Sequence, residues 1–446
     1  MSIRLGLGRI GRLLEFIGNP HQHLKVLHIA GTNGKGSVCT YLSTVLQQQR
    51  THFRVGKFTT PHLIHVTESI SINDQPIPNS QYLSIRNQLD ILNSEHRLGC
   101  TEFELLTCTA LQYFKEMECH WCVVEVGLGG REDATNIIPG SFKLCCGITK
   151  IGLDHESFLG NTLEEIAREK AGIITEGVEC AVIDGSNDKT VLDKVKQHCE
   201  SMHCKLIITE GSMNSHTVRT AAWGTIEFNQ KLPLNGEYQI FNLRVALAIL
   251  DELQRSKYIN VSRQELVAGL DQVQWPGRLH DLDFCFLLSE GDDRKKLTFP
   301  VLIDGAHNAS AAIELSKHLR KQFGDKPLTF VIAVTAGKNL NTLLRPLLRA
   351  QDRVIATKFS SVDGMPWIQP TDPKDLSSFI KSKFTTNCIS ENSLCDVFNL
   401  LSEEYYHNDA SEISPVIVCG SLYLCGELLR MHKRNSQTKG TNAESS

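Results

Sequence analysis

The chain reads as an α/β protein in two parts, a large N-terminal domain on a mostly parallel sheet and a smaller Rossmann-like α/β domain behind it. Three observations predict this. Short apolar runs alternate with stretches of helical periodicity through the first part of the chain. The cluster Trp275-Pro276-Gly277-Arg278 then breaks the pattern, and beyond it the alternation restarts. At 446 residues there is chain enough for two or three domains, each with its own core.

In order, the strand-like runs are 24–30, 68–73, 122–126, 144–151 and 180–184, with helical stretches at 37–49, 79–94, 102–116, 162–173 and 186–201. That order argues for a parallel sheet covered by helices. Leu232-Pro233-Leu234-Asn235-Gly236 is a breaker cluster, and 238–253 is again helical. Past the Trp275–Arg278 hinge, 284–288 and 297–303 read as strands joined by the polar turn 289–293. A helix at 310–322, a strand at 328–334, a helix at 340–348, strands near 353–357 and 415–419, and a helix from Leu422 complete the pattern. From Ser436 the residues are small and polar, which predicts a disordered tail. The expected domains are therefore 1–273 and 274–435, with 436–446 as tail, and there is no internal repeat.

Composition excludes several classes. Lys+Arg total 46 against 50 Asp+Glu, a net charge of −4, so no nucleic-acid or membrane surface is expected. Met1-Ser2-Ile3-Arg4-Leu5 has neither a long apolar segment nor an Arg/Ser-rich lead, and no run approaches the length of a membrane span. A cytosolic monomer is the expectation. The fifteen cysteines are scattered, odd in number and often inside apolar runs, as small hydrophobes in a reducing compartment would be. Cys119-His120-Trp121-Cys122 has a redox or zinc spacing, but no second ligand pair follows it.

The most specific chemistry lies at Gly31-Thr32-Asn33-Gly34-Lys35-Gly36-Ser37, which follows the apolar run 24–30 and precedes helical residues 38–49. Glycines let a strand-to-helix turn curl with its N–H groups inward, at the positive end of the helix. Lys35 adds a cation for phosphates, and Ser37 a hydroxyl of the type that ligates Mg²⁺. The loop departs from the usual G-x-x-x-x-G-K-[ST] pattern, having Ile29 and Gly36 where glycine and Ser/Thr would stand. Residues 32–37 are nevertheless expected to hold a nucleoside triphosphate.

Four further clusters place polar groups at strand ends. Thr59-Thr60-Pro61-His62 puts a hydroxyl before a proline, consistent with a metal ligand or with a plain turn. Val123-Val124-Glu125-Val126-Gly127 ends an apolar strand in an acid, which needs a cation: Mg²⁺ in a nucleotide site, or Arg131 in a salt bridge. Thr149 to Glu156 carries His155 at another strand end, where open α/β sheets place ligands, as metal ligand or as structural hydrogen-bonding group. Lys170 by itself looks like part of a charged helix face. Beyond the hinge, Ile303-Asp304-Gly305-Ala306-His307-Asn308 repeats the theme, and Asn242, Arg278 and this cluster could complete a nucleotide pocket between the domains.

Together these segments resemble the folylpolyglutamate synthase and dihydrofolate synthase branch of the Mur ligase superfamily, from Leu5-Gly6-Leu7 to Val418-Cys419-Gly420-Ser421. The runs Lys57-Phe58-Thr59-Thr60-Pro61-His62 and Asn235-Gly236-Glu237-Tyr238-Gln239-Ile240-Phe241-Asn242 are similar to those of its fungal dihydrofolate synthetases. The resemblance implies an N-terminal P-loop ATPase domain of Mur ligase type. Residues Thr32, Asn33, Gly34, Lys35, Gly36 and Ser37 would hold ATP, with Asn242, Arg278 and Asp304 as further contacts. Ser37, Thr60, Glu125 and His155 match Mg²⁺ ligands, and Lys170 matches a lysine carried as a carbamate. Thr101, Phe103, Glu104 and Asp133 lie where relatives hold the pterin; His307 and Ser421 are the candidates for glutamate. The sequence departs from many relatives at Thr67, Glu132 and Gly337-Lys338-Asn339, and begins after the longer lead of many bacterial members.

The implied reaction is ATP-driven amide formation between 7,8-dihydropteroate and L-glutamate, giving 7,8-dihydrofolate through an acyl phosphate. Lys35, His155 and Lys170 are its expected catalytic groups, and closure about 275–278 would exclude water from the acyl phosphate. A folylpolyglutamate synthase acting on tetrahydrofolate, or an enzyme doing both, shares these motifs. A nucleotide-binding switch without ligase activity is the reading from another class.

Overall fold

The computed structural model describes residues 5–49, 53–213, 216–228, 231–290, 293–407 and 414–437. The chain forms two compact α/β units, residues 1–274 and 275–446.

The first unit is built on eight strands: β1 (Val26–Ala30), β2 (Val55–Phe58), β3 (Ile70–Ile72), β4 (Gln75–Pro76), β5 (Trp121–Glu125), β6 (Lys143–Ile148), β7 (Cys180–Ile183) and β8 (Lys205–Ile208). Their order is β4-β3-β2-β5-β1-β6-β7-β8. From β2 to β8 every neighbour is parallel, and β3 and β4 add an antiparallel edge. Strands β1, β2, β5 and β7 are buried at every residue, which is why β1, β5 and β7 read as apolar runs; β2, with Gly56 and Lys57 inside it, does not.

Strand β1 is central, and from it the chain goes to β2 on one side, whereas the connection from β5 to β6 crosses to the other. The C-terminal ends of β5, β1 and β6 therefore flank the point where the topology reverses, the usual place for a ligand in an open α/β sheet. Helix Lys35–Leu46, directly behind β1, is buried at every residue from Ser37 onward. It sits under helix Arg263–Asp271, and a Cβ on Gly269 would stand 3.0 Å from Val45 Cα.

Two apolar clusters flank the sheet. One gathers Ile10, Leu14, Leu89 and Phe114 around Val26, Phe58 and Val124; the other gathers Ile166, Ile173 and Val191 around Ala30, Val126 and Ile148. Helix Gly8–Phe16, edge strands β4 and β8, helix Arg263–Asp271, and the hairpin β9 (Thr217–Thr220) with β10 (Gly224–Glu227) had no sequence reading. The first contains two glycines, and the strands are partly exposed, so their apolar pattern is weak.

The second unit has six strands: β11 (His280–Glu290), β12 (Asp293–Ile303), β13 (Thr329–Ile332), β14 (Arg353–Ala356), β15 (Cys388–Ser390) and β16 (Val416–Cys419), ordered β11-β12-β16-β13-β14-β15. β11 and β12 are antiparallel and the rest parallel. The expected strands 284–288 and 297–303 are thus too short. Pairing runs without interruption from His280↔Ile303 to Glu290↔Asp293, absorbing most of the expected turn, whose Gly291 and Asp292 lie outside the described residues. Backbone pairing at a sheet edge does not require apolar residues, so polarity there misled the reading.

Helix Leu340–Leu344 stops before the expected 348, and β15 with helices Pro373–Lys383 and Leu394–His407 was not read. The last helix, Leu422–Gln437, takes in Ser436 and Gln437, which were assigned to the tail. Its end is tied to the edge strand: the Cys285 N–H donates to His432 Nδ1 (3.1 Å), and Asn435 Nδ2 donates to the Cys285 carbonyl (3.0 Å). The rest of that tail, 438–446, lies outside the described residues. Among the described residues no helix is long and apolar enough to cross a membrane.

Candidate active site

The loop after β1 is held open by its neighbours. Gly31 and Gly34 have φ of +148° and +92°, whereas Gly36 lies inside the first turn of helix Lys35–Leu46. Two of the three glycines are therefore demanded by backbone geometry, and the helix begins three residues earlier than its apolar pattern. Space also excludes a side chain: a Cβ on Gly31 would lie 1.8 Å from Thr149 Oγ1, and one on Gly34 2.0 Å from Asn242 Oδ1. The N–H groups of Thr32 and Asn33 both donate to the Lys150 carbonyl (2.8 and 3.2 Å). Thr149 Oγ1 donates to the Asn33 carbonyl (2.7 Å), and Thr32 Oγ1 to that of Gly152 (3.1 Å). Gly34 is the N-cap and offers no side-chain acceptor, so the first-turn N–H groups keep their partial positive charge for an anion.

Glu125, at the end of β5, is buried and meets this loop. Its Oε1 is 3.6 Å from Lys35 Nζ, and its Oε2 accepts from the Thr60 N–H (3.2 Å). Lys35 Nζ also donates to the Thr32 carbonyl (3.3 Å). The alternative partner weighed for Glu125, Arg131, is engaged elsewhere, 3.5 Å from Glu169. Ser37 Oγ accepts from Gln239 Nε2 (3.2 Å), and Asn242 Nδ2 donates to Gln239 Oε1 (2.9 Å), so one turn of helix Gln239–Arg255 covers the loop.

Lys170 is brought inside by helix Leu163–Ala171 and donates to the Gly31 carbonyl (2.8 Å). Burial, with help from nearby Lys35 and against the carboxylates of Asp154 and Asp133, pulls its pKa down to about 7. His155 is exposed, caps the short helix Glu156–Leu159 with φ of +53°, and its N–H donates to Asp154 Oδ1 (2.9 Å).

The candidate pterin residues are placed differently from one another. Phe103 lies against the glycine-rich loop after β5, where a Cβ on Gly127 would be 2.3 Å from its Cζ, and its ring is 6.2 Å from that of Phe58. Thr101 and Glu104 form a capping box at the head of helix Glu102–Glu116, and Glu104 Oε2 is also 3.1 Å from Arg9 Nε. Asp133 is buried and accepts from the N–H of Leu128 (2.8 Å) and from the N–H and hydroxyl of Thr135 (3.0 and 2.5 Å). Burial raises its pKa despite these bonds.

In the second unit, Asp304 is buried at the end of β12 and accepts from the N–H groups of Leu279 and Ala306 (2.8 Å each). Burial raises its pKa, while Arg278 opposes the shift. Gly305 closes this corner, since a Cβ there would be 2.9 Å from Arg278 Nη1. His307 Nδ1 bonds the Gly305 carbonyl (2.9 Å), and Ser421 Oγ accepts from the Tyr423 N–H (3.2 Å).

Two family profiles match the chain: Mur ligase middle domain over residues 29–250, and dihydrofolate synthetase, C-terminal domain, over 287–431. Over 433 residues the chain is 57% identical to the dihydrofolate synthetase of Saccharomyces cerevisiae, covering 97% of this chain and 99% of that protein. It belongs to the dihydrofolate synthase and folylpolyglutamate synthase family of Mur ligases. A probable folylpolyglutamate synthase of the same yeast is 44% identical, covering 97% and 98% of the two chains. The folylpolyglutamate synthase of Mycobacterium tuberculosis, solved with ADP and AMPPCP, superposes with a TM-score of 0.78 at 26% identity, covering 96% of each chain.

The family fold thus frames donors suited to a hard cation. Glu125 offers carboxylate oxygens, and Ser37 and Thr60 offer hydroxyls. Among the described residues no three His, Cys, Asp or Glu side chains are grouped as a cage. The cysteines are all free, Cys119 half-buried and Cys122 buried. Sequence reasoning missed Thr149 and Gln239. Both are ordinary polar residues, but Gln239 lies three positions before Asn242, one turn of the same helix, and that spacing was the available signal.

Proposed function

We propose that this protein is an ATP-dependent amide ligase that joins L-glutamate to 7,8-dihydropteroate, giving 7,8-dihydrofolate, and that it acts as a cytosolic monomer. The observation that carries the reading is the meeting of Lys35, Glu125 and Lys170 around the loop after β1, with Lys35 Nζ 3.6 Å from Glu125 and Lys170 Nζ 2.8 Å from the Gly31 carbonyl. A plain nucleotide-binding switch has no use for a buried lysine of lowered pKa at that point. The 57% identity to a yeast dihydrofolate synthetase favours dihydropteroate as acceptor.

A carboxylate is a poor acylating group, so it is activated first. The dihydropteroate carboxylate attacks the γ-phosphorus of ATP, the bond to the β–γ bridging oxygen breaks, and ADP leaves. The amine of glutamate then attacks the acyl carbon, phosphate departs, and the amine loses a proton. Residues 32–37 orient the triphosphate, those at the start of helix Lys35–Leu46 through backbone N–H groups, and Lys35 neutralises the charge that builds on the leaving oxygen. Ser37, Thr60, Glu125 and His155 would hold Mg²⁺, which would supply further neutralisation of phosphate oxygens. Lys170, with a pKa of about 7, is in part a neutral amine at physiological pH and so able to take up CO₂ as a carbamate. Asn242, Arg278 and Asp304 are assigned to ATP. Phe103, with Thr101, Glu104 and Asp133 fixing the walls around it, is assigned to the pterin, and His307 and Ser421 to glutamate.

The second reading, folylpolyglutamate synthase, is favoured by the 44% identity to a probable enzyme of that kind. ADP release by purified protein with ATP, Mg²⁺ and L-glutamate separates the two. Release with dihydropteroate alone supports the first reading, release with tetrahydrofolate alone replaces it, and release with both makes the enzyme bifunctional. A folded protein silent with either acceptor overturns the ligase assignment.

A further inference from the structure

Beneath the loop after β5 lies a polar cluster to which the reaction above assigns no role. Lys143 begins β6, is 1% exposed, and has three hydrogen-bond partners: Asn136 Oδ1 (2.6 Å), the Ile173 carbonyl (2.9 Å) and Thr175 Oγ1 (3.5 Å). All three are neutral oxygens. A buried ammonium without a carboxylate is a costly choice if the position only had to be filled, since methionine has similar length and no charge. What distinguishes the lysine is that its partners lie on two different segments.

The first segment is the turn 133–136. Asn136, which accepts from Lys143, donates through Nδ2 to the Arg131 carbonyl (2.9 Å) and to the Gly172 carbonyl (3.0 Å). His28 of β1 holds the same turn from the sheet, its Nε2 2.8 Å from Thr135 Oγ1. Because the Thr135 hydroxyl donates to Asp133 Oδ1 (2.5 Å), His28 is the donor in that pair. The second segment, 172–175, leaves the helix that carries Lys170. The residues just before each segment touch as well: the Arg131 N–H donates to the Glu169 carbonyl (2.8 Å), and a Cβ on Gly130 would be 2.9 Å from the Lys170 carbonyl.

We propose that Lys143 is a positioning residue, fastening the turn 133–136 to the end of helix Leu163–Ala171 so that Lys170 and the Gly127–Gly130 loop keep their places in the site. It touches neither nucleotide loop nor acceptor directly. The inference rests on the assignment of Lys170 to the reaction, and it predicts a loss in the chemical step rather than in ATP binding, because the loop after β1 is held separately by Thr149 and Lys150.

Lys143→Met in the full-length protein tests it, with kcat, KM for ATP and bicarbonate dependence as readouts. The expected result is a fall in kcat of about 10–100-fold, the range seen when a supporting hydrogen-bond partner is removed, with KM for ATP within about twofold of the parent. The bicarbonate concentration giving half-maximal rate should rise with it, since a displaced Lys170 holds its carbamate less well. A folded variant with parental kcat and parental bicarbonate response overturns the proposal, and so does a loss confined to KM for ATP. Should Lys143→Met not fold, Asn136→Ala carries the test, because it leaves the lysine its other two acceptors; the same pattern in smaller measure supports the proposal and an unchanged kcat overturns it. A parent enzyme indifferent to bicarbonate would remove the carbamate from Lys170, whereas the kcat loss at constant KM would still decide the role of Lys143.

Discussion

Replacing Gly34 by alanine tests the geometry of the loop after β1 more sharply than removal of any charge. Two separate costs arise. At φ of +92° a Cβ is disfavoured by about 1–2 kcal/mol whatever surrounds it. The same Cβ would also stand 2.0 Å from Asn242 Oδ1, so Asn242 must leave, and with it goes the 2.9 Å bond to Gln239, a further loss of about 1 kcal/mol. Together the change comes to roughly 2–3 kcal/mol. Expressed wholly in nucleotide binding, that weakens ATP about 30–150-fold. Calorimetric titration of a non-hydrolysable ATP analogue measures it, on Gly34→Ala, Asn242→Ala and the double variant. Removing the Asn242 side chain deletes the clash, so the double variant should lose about 1 kcal/mol less than the sum of the singles. Additive losses, within about 0.5 kcal/mol, would refute the argument that Asn242 is what Gly34 makes room for.

Three further outcomes follow from the same geometry. Lys35→Ala should lower turnover by about 100–1,000-fold with an unchanged circular dichroism spectrum, as loss of a charge-stabilising donor does; an unaltered rate would end the assignment of residues 32–37 to ATP. Lys170 titrates near 7 when folded against 10.5 when unfolded, so the folded chain binds fewer protons between those values and stability rises with pH through that window, levelling above it. From pH 7 to 9, in bicarbonate-free buffer, urea unfolding should show a gain of about 2 kcal/mol from this group, and Lys170→Met should remove that gain. Finally, Cys395 is exposed, Cys100 and Cys119 are half-buried and the other cysteines buried, so native thiol titration should give one fast-reacting group that Cys395→Ser abolishes.

The parts of the fold legible in the sequence are those where one physical cause dominates. Strands β1 and β5 are buried on both faces, which leaves an unbroken apolar run and a clear end where Gly31 or Glu125 stands. Strand β15 has three residues, only the first of them buried, and so carries no such trace. Lys170 shows the limit most clearly. Among Glu164, Glu165, Arg168 and Glu169 it looks like one more solvated charge, and only the packing of its helix against the loop after β1 puts it inside. Arg131 errs in the other direction: close to Glu125 in sequence, it turns away to Glu169, while Lys35 takes the carboxylate. Thr101, Glu104 and Asp133 stand where a resemblance suggests substrate, and their bonds within the chain fix the head of helix Glu102–Glu116 and the turn 133–136.

The separation in sequence of the groups around the loop after β1 also bears on how the molecule is made. Lys170 reaches Gly31 across 139 residues, and Gln239 reaches Ser37 across 202. Contacts of that span close late, because a long stretch of chain must first give up its freedom. A ribosome that has released β1 and its helix has released a glycine loop, but not the groups that give it shape. Nucleotide capture should therefore begin only after helix Gln239–Arg255 has docked, which makes ATP binding a report on completion of the first unit and spares the cell a half-built ATPase.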